Sequence, residues 1–130
     1  MSVEEENKAI INRVYELINQ GNWDVYWDEL YSPSAVLHMT DRDMSKEQSK
    51  KFEYDFLANT TNLNITLNDI VAERDKVAVL VTWRWNQKDT NKKIEMTNAN
   101  FFKINEGKIV EAWNVTDIRL AQQLGVLPKQ

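Results

Sequence analysis

The chain has no cysteine, a single histidine, two prolines and three glycines in 130 residues. Without cysteine it can form neither a disulfide framework nor a thiolate metal site. One imidazole excludes a multi-histidine zinc centre. No apolar run approaches the roughly 20 residues that a membrane span needs. The opening residues Met1-Ser-Val-Glu-Glu-Glu6 are acidic where a secretory leader is basic and then apolar. A soluble cytoplasmic protein with no membrane partner is therefore expected. Excess positive charge is missing too: 20 acidic against 16 basic residues leave a net charge of −4, the wrong sign for a phosphate-binding face, so nucleic acid is not an expected partner. No linker, repeat or low-complexity segment interrupts the chain, so 1–130 reads as one domain, which at this size buries roughly two-thirds of its unfolded surface. What the chain has in quantity is tryptophan, five residues of it. Such aromatic surface serves both apolar ligands and subunit interfaces.

Periodicity divides the chain in two. Glu4–Gln20 carries an apolar stripe at helical spacing (Ile10, Ile11, Val14, Tyr15, Leu17, Ile18), with Ser2 and Glu5 suited to a capping box and Gly21 to the stop. A second short helix, Asn22–Tyr31, is read as ended by Pro33. Ala35–Met39 is a short strand and Thr40–Met44 a polar loop. Ser45 caps a third helix, Lys46–Asn59, with Phe52, Phe56 and Leu57 inward. From Leu63 the period becomes two. Strands run through Leu63–Ala72 and Val77–Trp85, with a turn at Arg74-Asp75-Lys76 and a polar connection over Gln87–Lys93. Helices followed by antiparallel strands predict an α+β fold, a curved sheet wrapped on helices. Neither face of Val77–Trp85 is strongly polar, which points to a helix layer on one side and a second subunit on the other, hence a homodimer.

The stretch Lys92–Leu127 reads as a hairpin, turned at Asn105-Glu106-Gly107, and a final helix. Polar side chains interrupt its apolar frame. Asn98 and Asn100 share a strand face with Met96, Phe102 and Ile104. Amides on such a face need partners, which makes them candidates for orienting a ligand. His38 is the one side chain whose ordinary pKa lies near neutrality and is the natural general acid or base. Asp117 is a carboxylate that either joins it or caps the last helix. Trp27, Trp83, Trp85 and Trp113 divide between a pocket wall and an interface. The cluster Asp41-Arg42-Asp43 lacks calcium-loop spacing and reads as a solvated rim.

Four segments, 13–22, 30–38, 69–79 and 107–117 with Gln123-Leu-Gly125, together resemble the SnoaL-like polyketide cyclases of the nuclear transport factor 2-like superfamily. The resemblance implies a cone-shaped α+β barrel: a strongly curved sheet wrapped on three N-terminal helices, with a short C-terminal helix. It also implies a deep apolar pocket and dimerisation through the outer face of the sheet. It implies a pocket-facing Tyr15 whose hydroxyl polarises a carbonyl, and a His38 that ends its strand looking into the pocket. Where the family carries an acidic residue after the tryptophan and a histidine on the preceding strand, this chain has Asn114 and Asn100. The residues that ketosteroid isomerases use fall on Val14, Met39 and Asn100, so steroid isomerisation is not expected. The expected function is binding of a small, largely apolar, carbonyl-bearing molecule, with cofactor-free aldol, isomerase or hydratase chemistry if the protein is an enzyme. His38 and Asp117 would move protons, while Tyr15, Trp27, Trp83, Asn98, Asn100 and Asn114 hold the ligand. The alternative is a non-catalytic carrier or dimerisation module. Neither reading calls for a cofactor or metal.

Overall fold

A computed structural model describes residues 1–116, in which three helices precede or interrupt six strands of one mixed sheet. Helix α1 (Val3–Gln20) starts where the Ser2 hydroxyl accepts from the Glu5 N–H at 3.1 Å and stops at Gly21, whose φ of 70° closes the last turn onto Ile18 and Leu17. Helix α2 (Trp23–Leu30) is capped by Asn22 and hands directly to strand β1 (Tyr31–His38). Pro33 therefore does not end the helix as the sequence predicts. It sits inside β1, where the register with its neighbour shifts between Tyr31 and Val36 and no ladder N–H is required of it. The expected loop at 40–44 contains a short edge strand, β2 (Asp43–Ser45). Helix α3 (Lys46–Ala58) opens on a full capping box between Ser45 and Gln48. Strands β3 (Thr60–Glu73), β4 (Lys76–Gln87), β5 (Lys93–Asn105) and β6 (Lys108–Val115) follow. Glu106 and Gly107 take φ values of 51° and 76°, the two positive angles that a two-residue hairpin loop demands. The predicted final helix and Asp117 lie outside the described residues.

The strand order is β2-β1-β6-β5-β4-β3, with β1 parallel to β6 and every other pair antiparallel. Two edges remain, so the sheet is not closed into a barrel, and the α+β architecture is otherwise the expected one. Alternation along the strands sorts side chains onto two faces. The inner face carries Val77, Val79, Val81, Phe102, Ile104, Ile109 and Ala112, which pack with Ile11, Val14, Leu17 and Ile18 of α1 and with Trp27 of α2. A pair of bonds pins α1 to the irregular start of β3: the Asn19 side chain donates to the Ile65 carbonyl at 2.9 Å and accepts from its N–H at 2.7 Å. The outer face carries a row that crosses every strand: Val71, Ala78, Phe101, Trp113, His38 and Asp43 stand opposite one another in register. Beside it lie Leu80, Ala99 and Val115. Val71, Leu80, Phe101 and Val115 are each at least 44% exposed.

Candidate functional site

Between the inner face of the sheet and the helices lies a cavity of about 160 Å³. Its walls come from α1 (Val14, Tyr15, Ile18), α2 (Tyr26, Trp27), α3 (Ser49, Phe52, Glu53, Phe56) and the strands (among them Trp83, Asn100 and Asn114). An apolar cavity of about 150 Å³ accepts a molecule the size of benzene, which sets the scale at one ring. No lysine or arginine borders it among the described residues.

One hydrogen-bond chain threads the polar side chains, and it runs in a single direction. Asn98 Nδ2 donates to Thr116 Oγ1 at 3.2 Å, and Thr116 Oγ1 donates to Asn114 Oδ1 at 2.6 Å. Asn114 Nδ2 donates to Asn100 Oδ1 at 3.0 Å, and Asn100 Nδ2 donates to the Tyr15 hydroxyl oxygen at 3.4 Å. The period of two creates this arrangement. Asn98 and Asn100 share the inner face of β5, and Asn100 stands directly opposite Asn114 of β6. The last oxygen is an acceptor, so the Tyr15 proton is left for something else, and no acceptor for it occurs among the described residues. Burial drives the Tyr15 pKa far above the ordinary phenol value, against a smaller opposing pull from Asn100, so the hydroxyl stays protonated.

Tyr15, Trp27, Trp83, Asn100 and Asn114 thus border one cavity, as does Trp85. Asn98 does not: it is buried one step behind, feeding Thr116, and its Oδ1 has no partner among the described residues. His38 borders the cavity, but its side chain does not serve it as expected. Leu37 pairs with the buried Met44 and Ala112, so its neighbour His38 rises on the opposite, outer face beside Asp43 and Trp113. There both ring nitrogens are engaged, Nδ1 with Asp43 Oδ1 at 2.7 Å and Nε2 with Glu111 Oε2 at 2.5 Å, while Trp113 stacks on the ring at 5.2 Å. The bond to Glu111, then that to Asp43, raise the His38 pKa and favour the imidazolium. His38 is held at both ring nitrogens and ties β2, β1 and β6 together; neither nitrogen is free to take a proton from a ligand. Its expected partner Asp117 is outside the described residues. Among those residues no group of three or more His, Asp or Glu is placed to hold a metal ion.

Glu53 is a cavity residue that no sequence signal singles out. It stands on the helix face of Ser49, Phe52 and Phe56, at spacings of three and four, and borders the cavity with them. Desolvation raises its pKa to about 8. Two phenols, Tyr26 of α2 and Tyr31 of β1, lie close enough for its charge to raise theirs, and bond each other at 2.7 Å.

Known proteins share this architecture. AclR of Streptomyces galilaeus superposes with a TM-score of 0.84 at 24% identity, over 96% of this chain and 99% of its own. IdmH of Streptomyces antibioticus gives 0.78 at 26%, over 92% and 98%. A SnoaL-like protein from a Jannaschia species gives 0.85 at 16%, over 99% and 97%. No curated protein matches the sequence. The SnoaL-like polyketide cyclase profile matches residues 8–124, and with that extent of match the chain belongs to the SnoaL-like polyketide cyclase family, on the nuclear transport factor 2-like fold.

Proposed function

We propose that the protein binds a small, largely apolar molecule of about one ring through a carbonyl oxygen, which accepts the Tyr15 proton. The observation that carries this reading is the polarity of the Asn98–Thr116–Asn114–Asn100–Tyr15 chain, which ends on an unspent hydroxyl donor at the wall of the cavity. Each amide in such a chain polarises the next bond. A hydroxyl so placed strengthens its bond as negative charge grows on the oxygen, as an oxyanion hole does. The chemistry this supports is cofactor-free enolisation leading to isomerisation or aldol cyclisation. A non-catalytic carrier is the second reading, favoured by amides at Asn100 and Asn114, which hold a ligand but exchange no protons near neutrality. The exposed apolar row on the outer face supports a homodimer built through that face, and a cysteine-free chain suits the cytoplasm.

Thermal-shift titration with cyclohexanone and with cyclohexane tests the carbonyl reading, because binding to the folded state alone raises its apparent stability. The ketone should bind more tightly, and Tyr15→Phe should erase the preference, worth about 1 kcal/mol or a factor of about five. Equal binding of ketone and hydrocarbon by the unmodified protein would refute it.

A further inference from the structure

We propose that Glu53 is the residue that transfers protons in the cavity, taking one from the carbon beside the carbonyl held by Tyr15. This rests on the carbonyl reading above and adds a base to it. Of the described ionisable side chains bordering the cavity, three are phenols (Tyr15, Tyr26, Tyr31), one is His38 and one is Glu53. The phenols are protonated, their pKa values pushed up mainly by burial. His38 has both nitrogens held by carboxylates on the outer face. Of the lysines on α3, Lys46 donates from Nζ to the Tyr31 carbonyl at 3.3 Å and Lys50 pairs with Asp28 at 3.9 Å. Glu53 is half-buried and, among the described residues, has no hydrogen-bond or ion-pair partner; the groups facing it from its neighbours are Tyr26 of α2 and Tyr31 of β1, with Tyr54 on its own helix. A carboxyl placed in apolar surroundings without partners is an expensive arrangement that core packing does not require.

Its chemistry complements Tyr15. The Glu53 carboxylate takes the proton from the α-carbon as that C–H bond breaks. The electron pair becomes the enolate double bond, and the carbonyl π pair moves to the oxygen facing Tyr15. The carboxylic acid so formed returns its proton to the same carbon, giving exchange, or to a conjugated carbon, giving isomerisation. No cofactor or second reactant enters the balance. The raised Glu53 pKa of about 8 supports the role, since proton transfer is most effective when the pKa of the group lies near the working pH.

The experiment follows the α-protons of cyclohexanone by proton NMR in deuterium oxide, with binding measured on the same samples. The unmodified protein should accelerate exchange over buffer, with a rate that climbs as Glu53 ionises. Glu53→Gln should bind the ketone and lose at least about 100-fold in exchange. Glu53→Asp, which keeps the carboxyl and shortens its reach, should recover part of it with the pH dependence intact. Binding without accelerated exchange in the unmodified protein would overturn the Glu53 role and leave the carbonyl reading standing, as would Glu53→Gln exchanging at full rate. Absence of ketone binding would sink both.

Discussion

Glu53 makes stability depend on pH in a direction opposite to the usual behaviour of carboxylates. In the unfolded chain its pKa is close to 4.5; in the folded protein desolvation lifts it to about 8. Between those values the folded state binds a proton that the unfolded state has released. The slope of unfolding free energy with pH carries the sign of protons bound unfolded minus folded, so it is negative here. Stability linked to Glu53 is fully present below pH 4.5 and is lost as pH rises through about 8. At about 1.4 kcal/mol per pH unit the full difference approaches ~5 kcal/mol. The residue is only half-buried, so solvent screening brings the expected loss to about 2–3 kcal/mol. The substitution Glu53→Gln preserves shape and abolishes the titration. Urea unfolding, followed by tryptophan fluorescence from pH 5 to pH 9, isolates the effect as a difference between the two proteins. The variant should be nearly as stable as the parent at pH 5 and gain on it steadily up to about pH 8, then run parallel. A gap that stays constant over the whole range would mean that the Glu53 carboxyl is well solvated, and the placement argued above would fall with it.

His38 contributes with the same sign from different physics. Its folded pKa is raised by Glu111 and Asp43, so the imidazolium clamp stabilises fully below pH 6.5 and fades as pH rises through the raised value. His38→Gln should lower stability by about 1 kcal/mol at pH 5.5, as expected for partly exposed pairs, and by progressively less as pH rises in the same urea assay. Cyclohexanone binding should be unchanged. Phe101→Lys places a charge in the middle of the outer apolar row; light scattering should find the parent dimeric and the variant monomeric. Glu106 holds a positive φ that costs a residue with a Cβ, so Glu106→Asn should raise the unfolding midpoint, by about 0.5–1 kcal/mol in free energy.

How far the site could be read in advance depended on which element carried each residue. Along β5 the inner apolar positions are dense enough for the period of two to identify the buried face, and amides on it stand out as polar groups in need of partners. That made Asn98 and Asn100 legible, although the sequence could not show that Thr116 and Asn114 of β6 link them. The same parity rule, applied to β1, already separates His38 from Leu37 and Ala35; the family expectation of an inward histidine overrode it, and the register with Asp43 and Trp113 restores it. Helix α3 is the opposite case. It buries so little that Ser49 is its one fully buried residue, because much of its inner face meets a cavity and not packed side chains. Its apolar stripe is correspondingly thin, and a glutamate beside Phe52 passes for one more solvated charge. Yet Ser49, Phe52, Glu53 and Phe56 follow the spacing of one helix face, and two of the four are polar. A helix face that is half polar while its phenylalanines still point inward has two explanations, a poorly buried helix or the wall of a cavity. Lengthening that apolar stripe separates them: Glu53→Leu should gain stability at pH 8, by relieving the desolvated carboxyl, and lose ketone exchange altogether. A poorly buried surface helix would show neither effect, since leucine would then face water and the carboxyl would have had no penalty to relieve.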